Sequence, residues 1–297
     1  MYPIENASVW ITLAVVAETL SLLLFSRANT LWRSPGMLVY PQRFLVLRSV
    51  LVLLWVHLGI YFLAPEGLRS AYGSLDVSVL WVVALGLLGG LGLLLFSLSI
   101  RTMPAQMVFF GGSLHLVVSV GVGWLLGELI SGFRLAVIAV LLVAQAGVIY
   151  RDRSQWAQQS RRIQLLPFAV GAIWGLYFPL YGLAIRRWGF WPTLTAAEWA
   201  VFLLMLGWAL VRTKGTWSDR SMWRNMAEQS VLSSAGQALS GAALAWGGVI
   251  LHSILTNFNV VLNTLAFRIR YRESLGLKYL VYFSVYIALA IVLILGS

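Results

Sequence analysis

The chain has 297 residues, of which 60% are hydrophobic and only 10% charged, with a mean hydropathy of +0.85. Water-soluble domains carry about 25% charged residues, so a soluble fold is excluded. The net charge of +11 would point to nucleic acid in a soluble protein, but here the arginines cluster in short loops between apolar runs, where they act as topology signals, and no nucleic-acid partner is expected.

Apolar runs of about 20 residues, the length a helix needs to cross hydrocarbon, recur along the whole chain. Membrane strands would need alternating segments of about 10 residues, which match poorly. The expected fold is therefore all-α, a polytopic membrane bundle with the lipid bilayer as its solvent. With no cysteine there is neither a disulfide framework nor a thiolate metal site. No basic stretch precedes the first apolar run, so that run is expected to be a retained helix rather than a cleaved signal.

About ten spanning segments are expected, near 8–27, 44–63, 77–99, 104–127, 133–150, 164–184, 193–212, 226–246, 248–267 and 276–296. Two links are very short, Arg101-Thr102-Met103 before Pro104, and Trp246-Gly247-Gly248. Each forces antiparallel neighbours, so segments three and four pair, as do eight and nine. Alternate loops hold sixteen basic residues, from Arg27, Arg33 and Arg43 through Arg101, the Arg151–Arg162 loop and the Arg212–Arg224 loop to Arg268, Arg270, Arg272 and Lys278. The opposite loops hold four, Arg69, Arg134, Arg186 and Arg187. By the positive-inside rule both termini are expected outside the cytoplasm of a cell (inner) membrane.

Segment one holds Glu18 near its middle, with no basic residue within reach along the helix. An ionised carboxylate at the bilayer centre costs about 2.5–3.5 kcal/mol on insertion scales, so such a group is functional by default. The expected role is coupling to a proton or a cation; the alternative is a protonated carboxyl tying two helices together. His115 sits near the middle of segment four and titrates in the range that suits a coupling site, or else donates one hydrogen bond across a helix interface. In segment two, Arg48 is about one turn inside and is expected to snorkel to the interface, with a counter-ion for an anionic solute as the alternative; His57 lies deeper. Glu198 and Glu228 are near helix ends and are expected at the interface, and Glu128 and Glu273 read as helix-end or loop contacts.

Trp174 lies near the middle of segment six, followed by Tyr177, Pro179 and Tyr181. A proline there frees a backbone carbonyl, and an aromatic surface near Glu18 would suit an organic cation. Segment eight carries a polar row, Gln229, Ser233, Gln237 and Ser240, and segment nine another, His252, Thr256, Asn259 and Asn263. The second row has spacings of i, i+4, i+7 and i+11, one face of a continuous helix. Such stripes must face the bundle interior or water; they form either a solute-binding wall or interhelical hydrogen bonds.

The chain also repeats weakly. Gly123-Trp124-Leu125-Leu126-Gly127-Glu128 closes segment four, and Arg268-Ile269-Arg270-Tyr271-Arg272-Glu273 closes segment nine, the two glutamates 145 residues apart. Five segments per half would give the halves opposite orientation, an inverted-topology repeat with a site at the midplane. The halves would be 1–150 and 151–297, with the Arg151–Arg162 loop as the seam.

The short links, the Pro104-Ala105 start, Leu126-Gly127-Glu128 and its echo at Arg272-Glu273 resemble the ten-helix drug/metabolite transporter superfamily. Ala14-Val15-Val16-Ala17-Glu18 also resembles the first helix of the small multidrug resistance branch. There a mid-membrane glutamate binds either protons or cationic drugs, and the resemblance implies that role for Glu18. One feature departs from the pattern: ten-helix members usually have cytoplasmic termini. The expected function is a proton-coupled secondary transporter of a small polar or cationic organic solute, working by alternating access. The competing readings are an integral-membrane enzyme acting on a lipid-linked substrate, and a non-catalytic membrane subunit or sensor. No phosphate-binding glycine loop is present, the histidines are widely spaced, and no cofactor or metal is expected.

Overall fold

The computed structural model describes residues 7–63, 79–151, 153–212 and 220–272, and four single positions beyond, 281, 284, 285 and 288. Apart from those four positions, the tenth expected segment lies outside the described residues, as do Glu273, Arg69, Lys214 and Lys278. Every described element is helical. In chain order they are α1 (Ala7–Thr30), a 3-10 turn at Leu31–Arg33, α2 (Pro35–Val39), α3 (Pro41–Leu63) and α4 (Val79–Thr102). Then come α5 (Ala105–Gly112), α6 (His115–Leu125), α7 (Gly132–Arg151), α8 (Arg153–Ala157), α9 (Arg161–Trp188), α10 (Phe190–Arg212), α11 (Arg220–Thr256) and α12 (Asn259–Tyr271). Among the described residues, eight helical stretches are long and apolar enough to cross a membrane, and the chain is a membrane protein. Leu20, Leu23, Val143, Leu210 and Val211 are exposed on its flanks, as lipid-facing side chains must be.

The packing is built from close backbone approaches. α1 lies along α11 and reaches α12; α9 lies along α4 and reaches α5 and α6. α3 packs on α11 and α10 on α4, while α3 meets α10 and α5 meets α12. With no hydrophobic drive between helices in lipid, small residues set such contacts. α4 supplies Gly86, which lies against Ala197 and Ala200, and α9 supplies Gly171 and Gly175, which lie against the Gly112 carbonyl and Val118. Between α1 and α11, Ser21 donates its hydroxyl to the Gly236 carbonyl at 2.9 Å.

Breaks in the helices are made good by side chains, because hydrocarbon offers no water to an open backbone group. Pro179 has no N–H, so the Gly175 carbonyl four residues earlier loses its helical donor. Ser119 of α6 takes its place, donating to that carbonyl at 3.0 Å. At Gly248 the backbone turns to φ 78° and ψ 172° inside α11, a conformation open to glycine. This is the expected link between segments eight and nine. It leaves the amides of Val249 and Ile250 without helical acceptors, and the Glu128 carboxylate accepts both, at 2.9 and 3.0 Å. Glu128 also pairs with Arg186 at 3.1 Å. It is thus a helix-end contact, and it joins the ends of α6 and α9 to the second half of α11.

Two expected helices are not continuous. Segment four breaks between α5 and α6 at Ser113-Leu114, and segment nine between α11 and α12 at Asn257-Phe258. At both places the hydrogen bonds tighten from i−4 to i−3: Leu114 donates to Gly111 and Leu116 to Ser113; Phe258 donates to Leu255 and Val260 to Asn257. The freed Gly112 carbonyl accepts from His115 Nδ1 at 3.2 Å.

Replacing Ser119 by Ala leaves the Gly175 carbonyl open, at a cost of about 1 kcal/mol. Pro179→Ala restores a backbone donor to the same carbonyl. Unfolding of the four proteins of this double-mutant cycle should show Ser119→Ala costing clearly less beside Pro179→Ala. Equal losses in both backgrounds would show that the hydroxyl is not substituting for the missing amide.

Candidate functional site

The helices line a partly open cavity of about 190 Å³. Both helix breaks border it: Gly112, Ser113 and His115 on one side, Thr256, Asn259 and Val260 on another. Interrupted membrane helices are found where they line a cavity, and these obey that rule.

Glu18 lines the cavity from α1 and is only 1% exposed. His252 Nδ1 lies 3.1 Å from Glu18 Oε2, and the Thr256 hydroxyl oxygen lies 3.1 Å from Glu18 Oε1 and 2.7 Å from the His252 carbonyl. The Thr256 oxygen is also 3.3 Å from His252 Nε2. Glu18 therefore sits in a buried carboxyl–imidazole–hydroxyl cluster, with the Phe178 ring edge-on to His252 at 5.2 Å. His115 lies within electrostatic reach of both Glu18 and His252. Its Nδ1 faces the Gly112 carbonyl, which can only accept. The cluster ties α1 to the second half of α11.

The interfacial placement of Glu198 is overturned. α10 begins at Phe190, so Glu198 is more than two turns inside it; it is 3% exposed and lines the cavity. Gln237 Nε2 donates to its Oε1 at 2.8 Å. Arg48 does not snorkel either. α3 begins at Pro41, which puts Arg48 about two turns deep, and its side chain is buried on the cavity wall. Its Nε donates to Gln229 Oε1 at 3.2 Å, and Gln229 Nε2 donates to Ser233. The segment-eight row Gln229, Ser233, Gln237 and Ser240 thus faces the cavity. Glu228, by contrast, is at the surface and pairs with Arg27 at 2.6 Å.

The aromatic wall comes from α9. Trp174, Tyr177, Phe178 and Tyr181 all border the cavity. Tyr177 and Tyr181 stack at 5.2 Å, and Trp174 packs on Phe96 at 5.4 Å. They have room because α4 is small where they cross it: a Cβ on Gly89 would lie 2.9 Å from the Tyr177 ring, and one on Gly92 would lie 2.5 Å from Trp174 Nε1.

Of the expected residues, Glu18, His115, Trp174, Tyr177, Gln237, Thr256 and Asn259 meet at this cavity. His252 stands behind the wall and reaches it through Glu18 and Thr256. Asn263 does not line the wall, because the break at Asn257-Phe258 ends the single helical face that the spacing implied. It donates to the Asn259 carbonyl at 2.6 Å and accepts from Asn29 at 3.0 Å, tying α12 to α1. His57 turns Nδ1 to the Leu53 carbonyl of its own helix at 2.7 Å and is not on the wall. Among the described residues no group of three or more His, Cys, Asp or Glu could hold a metal ion.

Gly92→Ala drives a methyl into the Trp174 indole, an overpacking that costs about 1–3 kcal/mol. Trp174→Phe in the same chain should recover most of that loss, read as thermal unfolding of the purified protein. If the smaller ring gives no relief, the fit between α4 and α9 is not what sets the position of Trp174.

No protein-family model matches the chain. No curated protein matches it either. The fold is similar to that of a solved chain described only as "Crystal structure of protein", with a TM-score of 0.67 and 16% identity over 93% of this chain and 95% of that one. At that identity the likeness speaks for the fold alone.

Proposed function

We propose that the protein is a secondary transporter that moves a small polar or cationic organic solute by alternating access, coupled to protons. The observation that carries this reading is the central cavity bordered jointly by Glu18, His115 and Asn259, at the meeting point of two interrupted helices. A purely structural Glu18 would need only its hydrogen bonds; it would not need an adjoining space of about 190 Å³ lined by further charges and rings.

The inverted repeat is part of the proposal. If α1 corresponds to α9, α3 to α10, α4 to the first part of α11, and α5–α6 to the second part of α11 with α12, then each major packing pair has a counterpart. α1 on α11 answers to α9 on α4, α1 on α12 to α9 on α6, and α3 on α11 to α10 on α4. The breaks also correspond, at Ser113-Leu114 and Asn257-Phe258, 144 residues apart. Rocking of one half against the other would expose the cavity to each side in turn.

In this mechanism the Glu18–His252–Thr256 cluster takes the coupling proton from one side and releases it to the other. Deprotonated, it leaves a negative charge in a low-dielectric space, which attracts either the next proton or a positive group on the solute. His115, Asn259 and the α11 row contact the solute, and the α9 rings face its carbon skeleton.

Purified protein in proteoliposomes should take up members of a panel of amines, amino acids and sugars faster when a pH gradient is imposed. Glu18→Gln should abolish the response to the gradient. Uptake by that variant that still follows the gradient would remove Glu18 from the coupling step. The loop charges favour an orientation with both termini on the non-cytoplasmic side, which is part of the proposal. Tags at either end should therefore be accessible from outside intact cells, and accessibility only after lysis would reverse the orientation.

A further inference from the structure

Away from the Glu18 cluster, the same cavity holds a second pair of charges, Arg48 on α3 and Glu198 on α10. They are within electrostatic reach of each other. They do not meet in an ion pair; each is held instead by an amide from α11. Gln229 takes Arg48 Nε, and Gln237 takes Glu198 Oε1. Two opposite charges free to approach in a low-dielectric space would be expected to close on one another. Here the two glutamines, eight residues apart on one helix, hold them apart.

Two acceptor atoms in this arrangement are unused. Glu198 Oε2 and Gln237 Oε1 are both buried and have no hydrogen-bond partner. The orientation of the amide is decided by its neighbour, since Gln237 must turn its NH₂, not its carbonyl, toward a carboxylate. An unsatisfied buried acceptor costs about 1–3 kcal/mol, so two on a hydrogen-bonded pair of cavity-lining side chains mark a place that expects a donor. The stacked rings of Tyr177 and Tyr181 stand beside them on the wall, and a ring face is attractive to a cation. An ammonium meets all of these requirements. Beside the Arg48 guanidinium, however, a ligand that is only a cation adds a like charge. A carboxylate on the same ligand removes that penalty by pairing with Arg48.

We infer that Arg48 and Glu198, with Gln237, form a split-charge subsite for a zwitterionic solute, one carrying both an ammonium and a carboxylate. The ammonium takes the free oxygens of Glu198 and Gln237; the carboxylate takes Arg48. This rests on the transport reading and narrows its substrate class. A zwitterion adds no net charge to the cavity, so it can occupy the cavity together with a coupling proton.

The test is a binding titration of the full-length protein in lipid nanodiscs by calorimetry, with two matched sets of ligands. The first is leucine, 3-methylbutylamine and 4-methylpentanoate; the second is 4-aminobutyrate, butylamine and butyrate. In at least one set the zwitterion should bind about tenfold or more tightly than both single-charge analogues, the effect of one charged hydrogen bond. Arg48→Gln should bring the zwitterion down to the level of its amine, and Glu198→Gln down to that of its acid. The wild-type comparison stands even if a variant does not fold. Amines or acids that bind as tightly as their zwitterions in both sets, or zwitterions that do not bind, overturn the subsite. Gradient-driven uptake of an amine with its zwitterion ignored overturns the subsite and leaves transport intact. Tight zwitterion binding without any uptake overturns the transport reading and supports the subsite.

Discussion

In hydrocarbon a backbone amide or carbonyl with no partner has nowhere to turn, and much of this structure is an answer to that constraint. The bundle departs from regular helix at Pro179, at Gly248, at Ser113-Leu114 and at Asn257-Phe258. At the first two the lost hydrogen bond is replaced by a side chain from elsewhere in the bundle: the Ser119 hydroxyl of α6 and the carboxylate of Glu128, just beyond the end of α6. At the other two it is replaced by shorter hydrogen bonds and, on Gly112, by the His115 ring. The repairs also fix which helices are neighbours. A bond from Ser119 to Gly175 holds α6 on α9, and the same crossing brings His115 and Trp174 to opposite sides of one cavity.

A second constraint is charge. Glu18, Glu198 and Arg48 are all nearly out of contact with solvent, and each is held by neutral groups as well as by any opposite charge nearby. The holding groups are amides and hydroxyls at helical spacing along α11, with His252 at its far end. α11 acts as the common rail of the site: Gln229, Ser233, Gln237, His252 and Thr256 all project toward the charged residues of α1, α3 and α10. A buried charge steadied by dipoles rather than by a permanent counter-ion keeps its affinity for an incoming one.

How much of this could be read in the amino-acid sequence depends on where each residue lies along its helix. Glu18 stands alone in the middle of an apolar run, so its depth is insensitive to the exact ends of the helix, and its place inside the bundle was legible. The same holds for His115 and Trp174. Arg48 and Glu198 lie within about two turns of helix starts that composition places only to within several residues. Beginning α3 at Pro41 and α10 at Phe190 moves both from the interface into the cavity. The breaks were legible where the chain carries Gly or Pro, as at Gly248 and Pro179. They were not legible at Asn257-Phe258, where neither residue forbids a helix and the geometry follows from tertiary partners. That miss explains why Asn263 leaves the face that His252 and Thr256 share.

The second half of α11, Val249 to Thr256, is a rod of eight residues, about 12 Å long. Its first amides are gripped by Glu128, which is itself paired with Arg186 near the end of α9. Its last turns carry His252 and Thr256 on the Glu18 carboxyl. Helices of this length do not bend without losing hydrogen bonds, and both ends of this one are bounded by breaks. The rod therefore ties the Glu128–Arg186 pair at its first turn to the Glu18 carboxyl at its last, so neither carboxylate is placed independently of the other.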